Sequence, residues 1–208
     1  MIGVLAYGSL IPDPGIELAS ITVARTPGVP TPFFVEYARS SRERAGAPTL
    51  VPVTNGGCSV LAVIFTVDAS IEDAANILYR REANAVGSGK VYRPPPPDRM
   101  DAVRIDYIEN LGGHELVLST RIAPNISPLS ADFLAELAIE SARKLTDGRD
   151  GISYLISARE SGIVTPLSPT YEAKILEKTQ AADLASALAA IRGNAGPAEP
   201  SSNRSGGG

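Results

Sequence analysis

The order of sequence patterns along the chain predicts an α+β fold. Short runs rich in β-branched and aromatic residues, bounded by Gly, Pro and Asn, fill most of the chain before residue 122, which is typical of strands. Helical periodicity with capping residues dominates after residue 130. Because the strands and helices are segregated rather than alternating, the pattern favours α+β over repeated βαβ units. We expect one domain over residues 1–192 and a disordered tail over 193–208, which holds little to bury.

Composition narrows the class of protein. The chain has 208 residues with 19 Lys plus Arg against 23 Asp plus Glu, a net charge of -4, which argues against a nucleic-acid surface. One His and one Cys argue against a zinc site and rule out a disulfide within one chain. No apolar run approaches the ~20 residues that span a bilayer, and the first residues lack a basic signal region. We therefore expect a cytoplasmic protein that binds neither nucleic acid nor membrane.

The first half of the chain is predicted to be mainly strands. A buried strand runs from Ile2 to Tyr7 and ends at Gly8-Ser9, with a turn following at 13–15. Three prolines lie within residues 26–32, so this stretch is predicted to be an irregular connection. Further strands are expected at 33–39, 49–53 and 58–67.

The second half is predicted to begin with a helix. Ser70 is a suitable N-cap, with Asp73 three residues later, and the helical pattern continues to about Ala85. A hairpin is expected over 101–108 and 114–122. The remaining predicted helices are 130–145, 152–160, one starting at Ser168-Pro169, and an alanine-rich segment ending at Arg192.

Glu82 is the most informative position. At about 100° per residue, it falls in the stripe formed by four apolar residues of the predicted helix, while Arg80 and Arg81 are expected to point elsewhere. Burial disfavours a charged carboxylate and suits it to proton transfer near neutral pH. The alternatives are that Glu82 is solvated or pairs with a nearby basic side chain. The apolar residues of the stripe are Ile71, Ala74, Ala75 and Leu78.

The turn Tyr7-Gly8-Ser9-Leu10 follows the first strand directly. Its glycine permits a close approach of the main chain to a ligand, and successive N–H groups in such a turn can hold a carboxylate or an oxyanion. The alternative is an ordinary turn in which Tyr7 only packs its ring.

Together these features resemble the γ-glutamylcyclotransferase-like family. The family's first strand ends in a YGS(N/L) turn, matched by Tyr7–Leu10, and its catalytic Glu follows a strand and helix, matched by Glu82 in LYRREANAVGSGKVY. Two further segments are similar to family blocks, FFVEYARSSRERAGAPTLVPV and YLISARESGIVTPLSPTYEAKIL. The resemblance implies a small mixed β-barrel with helices packed outside. It also implies a reaction in which a γ-glutamyl compound cyclises to 5-oxoproline and releases its amine.

The resemblance also assigns roles. Glu82 would be the general acid/base, and the partner would be a small γ-glutamyl substrate, with no metal or cofactor. Tyr92 would close the pocket, although structural packing explains this tyrosine equally well. The chain departs from the family in having Leu10 where one branch has Asn, and in lacking a tyrosine within 121–125. The residues whose main chain would bind the substrate are Leu5, Ala6, Tyr7, Gly8, Ser9 and Leu10.

Other interpretations stay open at this point. Arg39, Arg42 and Arg44 could clamp a carboxylate or phosphate, although ordinary loop solubility is the better explanation of these charges. His114 is expected to be a solvated hairpin residue, and a hydrolytic Ser9–His114 pair lacks the G-x-S-x-G elbow. The chain could also be a non-catalytic module that binds a small acid or a partner, or a hydrolase in which Glu82 activates water.

Overall fold

The first strand lies at the centre of the larger sheet. The computed structural model describes residues 1–194, and in it β1 (Ile2–Ala6) pairs antiparallel with β5 (Leu61–Val67) and parallel with β7 (His114–Arg121). The outer strands are β2 (Thr22–Pro30), beside β5, and β6 (Arg104–Leu111), beside β7. The five-stranded order is therefore β2-β5-β1-β7-β6. This order places β1 between two neighbouring strands, and most of its residues are buried.

The proline-rich segment is a strand, so the prediction of an irregular connection at 26–32 is wrong for most of its length. β2 pairs antiparallel with β5 from Thr22 to Pro30, with register shifts between Thr22 and Ala24 and between Pro27 and Val29. Proline is tolerated at a sheet edge and at bulges because no inner ladder hydrogen bond is lost there. A short helix, α1 (Gly15–Ile21), precedes this strand and was not predicted.

A separate two-stranded sheet consists of β3 (Phe34–Ser41) and β4 (Ala47–Val53). A single 3₁₀ turn, Arg42–Arg44, joins the two strands and ends at Ala45, whose φ is 51°. The Ala38 carbonyl accepts hydrogen bonds from the main-chain N–H groups of Asn125 and Ile126, at 3.0 and 3.1 Å. The segment after β7 therefore connects the two sheets.

The α+β prediction is confirmed, but the two sheets do not close into a barrel. β2 and β6 form the edges of the larger sheet, and β3–β4 forms a sheet of its own. The only ladder-type contact from β3 to the neighbourhood of β5 within residues 1–194 is a single bridge between Val35 and Cys58. One bridge does not continue the hydrogen-bonded ladder around a cylinder.

Helices cover the two sheets separately. Helix α2 (Ile71–Glu82) packs Ala74, Ala75 and Leu78 on one face of the five-stranded sheet. A second hydrophobic core joins β3 and β4 to the four C-terminal helices. None of the helices in the described part of the chain is long and apolar enough to cross a membrane. The C-terminal helices are α3 (Ala131–Lys144), α4 (Gly151–Glu160), α5 (Ser168–Thr179) and α6 (Leu184–Asn194).

Capping side chains explain where helices α2 and α4 begin. The Ser70 hydroxyl accepts a hydrogen bond from the Asp73 N–H at 3.0 Å, as predicted. Asp150 caps α4 by accepting from the N–H groups of Ile152 and Ser153, both at 2.9 Å. These caps satisfy main-chain donors at the helix starts.

Because α6 extends to Asn194, the predicted tail cannot begin at 193, and the rest of it, 195–208, lies outside the described residues.

Candidate active site

Glu82 is the last residue of α2. The helix ends because Ala83 leaves helical geometry and Asn84 adopts a positive φ of 50°. The predicted apolar stripe holds at Ala74, Ala75 and Leu78, which are buried, whereas Ile71 is 45% exposed. The Glu82 side chain is 25% exposed and lies half-buried at the edge of that stripe. It is therefore a partly exposed carboxylate rather than one enclosed in the core.

Arg81 contacts Glu82 directly, so the expectation that Arg81 points elsewhere is wrong. Its Nη1 donates a hydrogen bond to Glu82 Oε1 at 2.9 Å. Its Nη2 donates to the Ser9 carbonyl oxygen at 3.1 Å and to the Asp13 carbonyl oxygen at 2.7 Å. One planar guanidinium with several donors can hold several acceptors at fixed angles. Arg81 thus joins the end of α2 to the turn that follows β1.

The turn itself forms a single 3₁₀ helix, Gly8–Leu10. Gly8 has a φ of +57°, and a Cβ built on it would lie 2.7 Å from the Tyr154 hydroxyl oxygen. Glycine is therefore required at position 8 for two reasons. The left-handed conformation disfavours residues with side chains, and the Tyr154 hydroxyl already occupies the space that a Cβ would need. The main chain of the turn and the Tyr154 hydroxyl are held in close approach.

A cavity of about 660 Å³ opens between this turn and the β3–β4 loop. One side of it, which we call the turn side, presents Ser9, Arg81 and Glu82. The rest of the arginine-bearing lining, the loop side, consists of Arg39 at the end of β3, Arg42 and Arg44 in the β3–β4 loop, Arg149 just before α4, and Tyr154 within α4. A volume of this size accommodates a small metabolite.

Tyr7 lies beside the cavity without lining it. Its ring packs edge-on against Phe33, with the ring centroids 5.7 Å apart. Burial raises the pKa of Tyr7 well above its ordinary value, and the negative charge of Glu82 raises it further. Tyr7 is therefore a neutral phenol at physiological pH, within electrostatic reach of the carboxylate.

The structure separates the predicted binding residues into two groups. Ser9 lines the cavity, and Gly8 and Leu10 belong to the same turn. Leu5 and Ala6 are buried in β1, opposite Ile64 and Val63 of β5, and they support the turn from within the sheet. Neither of these two β1 residues lines the cavity.

Tyr92 lies away from the cavity lining. Its N–H donates to Asn76 Oδ1 at 2.7 Å, and its hydroxyl accepts from the Ile105 N–H at 3.0 Å. Its ring packs against Tyr79, with the centroids 5.6 Å apart. These contacts tie the segment after α2 to the start of β6 and give Tyr92 a structural role in this conformation, in place of the pocket-closing role that the resemblance implied.

Tyr154 is a site residue that sequence reasoning missed. Its hydroxyl accepts a hydrogen bond from the Leu50 N–H at 3.3 Å, and the Arg44 guanidinium carbon lies 5.0 Å from its ring centroid. Burial is the main reason that its pKa is raised, so it stays protonated at neutral pH. The sequence does hold a signal for Tyr154, because it is a tyrosine on the core-facing side of a predicted helix and a buried tyrosine hydroxyl needs a hydrogen-bond partner.

His114 is buried rather than solvated, which corrects the expectation for the hairpin. Its Nδ1 lies 3.1 Å from the Gly112 carbonyl oxygen, which can only accept. Its Nε2 lies 2.8 Å from the Thr66 hydroxyl. Both ring nitrogens are thus engaged within the five-stranded sheet, and His114 is unsuited to act as a base for Ser9.

Comparison with protein-family models gives no match, and comparison with curated protein sequences gives none either. Across residues 1–194, no cluster of three or more His, Cys, Asp or Glu side chains is arranged to hold a metal ion. The side chains of the cavity that can take part in chemistry are the Glu82 carboxylate with its arginine partner, the buried Tyr154 phenol, several further arginines and three other carboxylates, Asp13, Glu43 and Asp101.

Proposed function

We propose that this chain is a γ-glutamylcyclotransferase-like enzyme, with the corresponding fold, that converts a γ-glutamyl small molecule to 5-oxoproline and releases the amine. The observation that carries the proposal is the meeting of Glu82 and the Tyr7–Leu10 turn at one cavity, joined by Arg81. The Arg81 guanidinium donates one hydrogen bond to the Glu82 carboxylate and another to the Ser9 carbonyl oxygen, which lies 72 residues before Arg81 in the chain.

The substrate supplies its own nucleophile. Its α-amine attacks the carbonyl carbon of the γ-glutamyl amide, a five-membered lactam forms, and the bond between that carbonyl carbon and the departing nitrogen breaks. Because both reacting groups belong to one molecule, the enzyme needs only to bind a folded conformer to gain the advantage of proximity. No water is consumed, and no side chain of the enzyme becomes covalently bonded to the substrate.

Glu82 moves the proton in this scheme. Its carboxylate accepts a proton from the α-ammonium group, which frees the lone pair for attack, and then donates it to the departing nitrogen as the amide bond breaks. Arg81 holds Oε1 at 2.9 Å, so Oε2 is the oxygen left for the substrate. In the tetrahedral intermediate both nitrogens are bonded to the same carbon, so one carboxylate can serve both. The ring nitrogen then loses its second proton to solvent and the released amine takes one up, which leaves a neutral lactam and an ammonium product.

The carbonyl oxygen of the substrate gains negative charge as the ring closes. Preorganised donors aimed at that oxygen stabilise the transition state more than the ground state. We assign this role to main-chain N–H groups of the Tyr7–Leu10 turn and to the Tyr154 hydroxyl. The Leu50 N–H donates to that hydroxyl oxygen at 3.3 Å, so the phenol proton remains free to donate to the substrate.

Product analysis tests the proposal. The purified protein is incubated with a panel of γ-glutamyl amines and γ-glutamyl peptides in water enriched in ¹⁸O, and the products are identified by mass spectrometry. The proposal predicts 5-oxoproline without ¹⁸O and an equimolar amount of free amine. Glutamate carrying ¹⁸O would instead identify a hydrolase, and binding without turnover of any panel member would identify a non-catalytic module.

A further inference from the structure

Three arginines of the β3–β4 hairpin, Arg39, Arg42 and Arg44, line the loop side of the cavity. None of the three forms an ion pair with a carboxylate anywhere in residues 1–194. By contrast Arg81, on the turn side, is paired with Glu82. Placing three like charges along one side of a cavity, none of them in direct contact with a carboxylate, is unfavourable unless a ligand provides the opposite charge.

Neutral groups hold two of these guanidiniums in place. Arg39 Nη1 donates to the Ala123 carbonyl oxygen at 2.7 Å, and Arg44 Nη1 donates to the Arg149 carbonyl oxygen at 3.2 Å. Arg44 also stacks on the Tyr154 ring. Burial is the main reason that the pKa of Arg39 and that of Arg44 are lowered. The side chains are thus positioned while most of their charge is left uncompensated.

The carboxylates near the cavity have other partners. Asp101 is paired with Arg99 at 3.2 Å, although its charge also acts on Arg39. Glu43 accepts a hydrogen bond from the Asn84 side-chain amide at 3.2 Å. Asp13 is largely exposed and lies 3.9 Å from Arg81. The neutral Asn84 amide does not cancel the charge of Glu43, but the three arginines outnumber this one loop carboxylate, so the loop side keeps an excess of positive charge.

We infer that Arg39, Arg42 and Arg44 form a subsite for the amine half of the substrate, and that this amine carries two negative charges. The inference rests on the proposed function, which places the γ-glutamyl half against Glu82 and the turn. One guanidinium can hold one carboxylate through two parallel hydrogen bonds, so three guanidiniums exceed the need of a single carboxylate. The chemistry that fits is an acidic amino acid or an amine bearing a phosphate monoester.

Substrate charge provides the first test. The panel contains γ-glutamyl-ethylamide, with no acid on the amine half, γ-glutamyl-alanine, with one, and two doubly charged members, γ-glutamyl-glutamate and γ-glutamyl-phosphoethanolamine. Charge-assisted hydrogen bonds predict that kcat/KM rises about tenfold or more with each added charge. The two doubly charged compounds distinguish a dicarboxylate from a phosphate. Equal kcat/KM across the panel would overturn the subsite.

Matched arginine variants provide the second test. Arg44→Gln is expected to raise KM for the doubly charged substrate about ten- to hundredfold, and to leave KM for the ethylamide unchanged. Arg42→Gln, at an exposed position, is expected to act in the same direction and guards against a folding defect in the first variant. The control is Arg143→Gln, which removes the same charge from an exposed position of α3 away from this cavity. A KM increase equal to that of Arg143→Gln would contradict the inference.

Direct binding separates the failure of the subsite from the failure of the proposed function. Calorimetry measures the affinity of γ-glutamyl-glutamate for Glu82→Gln protein, with and without Arg44→Gln. Loss of affinity on adding Arg44→Gln supports the subsite, even if wild-type protein makes no lactam and the cyclotransferase proposal falls. Unchanged affinity overturns the subsite, even if wild-type protein does release 5-oxoproline.

Discussion

The two sides of the cavity differ in how their arginines are neutralised. On the turn side, Arg81 is bonded to the Glu82 carboxylate and to two carbonyl oxygens that fix its plane. On the loop side, Arg39 and Arg44 are held by carbonyl oxygens and an aromatic ring, without carboxylates. Under the proposed function, this difference is a division of labour in which the turn side positions the carboxylate that carries the proton and the loop side offers positive charge to the ligand.

Of the variants that compare the two sides of the cavity, Arg81→Gln should have the largest effect, and its neighbour Arg80 provides the reference. Both side chains are 14% exposed, but Arg81 binds the site, whereas Arg80 donates to Glu17 Oε2 at 2.7 Å. Arg81→Gln is expected to lower kcat about a hundredfold, because Glu82 and the turn lose their common support. Steady-state kinetics on the best panel substrate measures this change.

Arg80→Gln is the matched control for that experiment. It removes the same charge one residue earlier, and it should lower the melting temperature while leaving kcat within about twofold of wild type. Equal losses of kcat in the two variants would mean that helix stability, rather than the Arg81 contact, sets the rate. The turn side would then have no distinct role.

The next effect concerns the close approach of the two sides at Gly8 and Tyr154. Gly8→Ala is expected to destabilise the protein by about 1–2 kcal/mol, since it forces a side chain into the left-handed region and against the Tyr154 hydroxyl 2.7 Å away. Adding Tyr154→Phe removes the obstructing oxygen. Denaturant unfolding of the two single variants and the double variant gives their coupling energy.

The expected coupling is favourable, so that Gly8→Ala costs about 1 kcal/mol less in the Tyr154→Phe protein than in wild type. Strictly additive free energies of unfolding would show that the turn and α4 are not in contact in solution. The cavity would then lack the geometry on which both sides depend.

The smallest expected effect is on the pH dependence of stability, and it concerns Glu17 of α1, which does not line the cavity. The hydrogen bond from Arg80, followed by that from the Gly87 N–H, lowers the pKa of Glu17. A lowered pKa in the folded state means that Glu17 stabilises the protein above its unfolded pKa, and that this stabilisation is lost as the pH falls through the folded value. Glu17→Gln should therefore show a smaller drop in melting temperature between pH 6 and pH 3 than wild type.

Glu72→Gln, at an exposed position in the first turn of α2, is the control for Glu17→Gln. It is expected to keep the acid sensitivity of the wild-type protein. If the melting temperature depended on pH identically in wild type and Glu17→Gln, the role assigned to the Arg80–Glu17 pair would be contradicted. Arg80→Gln could then no longer serve as the control for Arg81→Gln.

Features set by near neighbours in the chain were predictable from the sequence. The Ser70 cap, the apolar stripe of α2 and the turn at Gly8 all depend on spacings of a few residues, whereas the partial exposure of Glu82 follows from the end of α2 at that residue. The contact between Arg81 and Ser9 joins residues 72 positions apart, and a helical wheel indicates only the direction of Arg81, not its partner. The role of Tyr154 likewise depends on how α4 packs against β4 and the turn.

The errors have related causes. The β2 prolines are tolerated because this strand lies at the edge of the sheet, and the position of a strand in the sheet is not visible in its own sequence. Barrel closure depends on which distant strands pair, and the resemblance implied a closure that the two sheets do not make. The lone His114 was assigned by its hairpin position, although Thr66 on a separate strand provides its partner.

The most direct test of the central claim is the rate of 5-oxoproline release by Glu82→Gln protein. The variant keeps the size of the side chain and its ability to hydrogen-bond, but it cannot carry the proton between the two nitrogens. We expect release to fall by about a thousandfold or more, with the melting temperature and the calorimetric affinity for the substrate unchanged. Turnover within tenfold of wild type would contradict the assignment of Glu82.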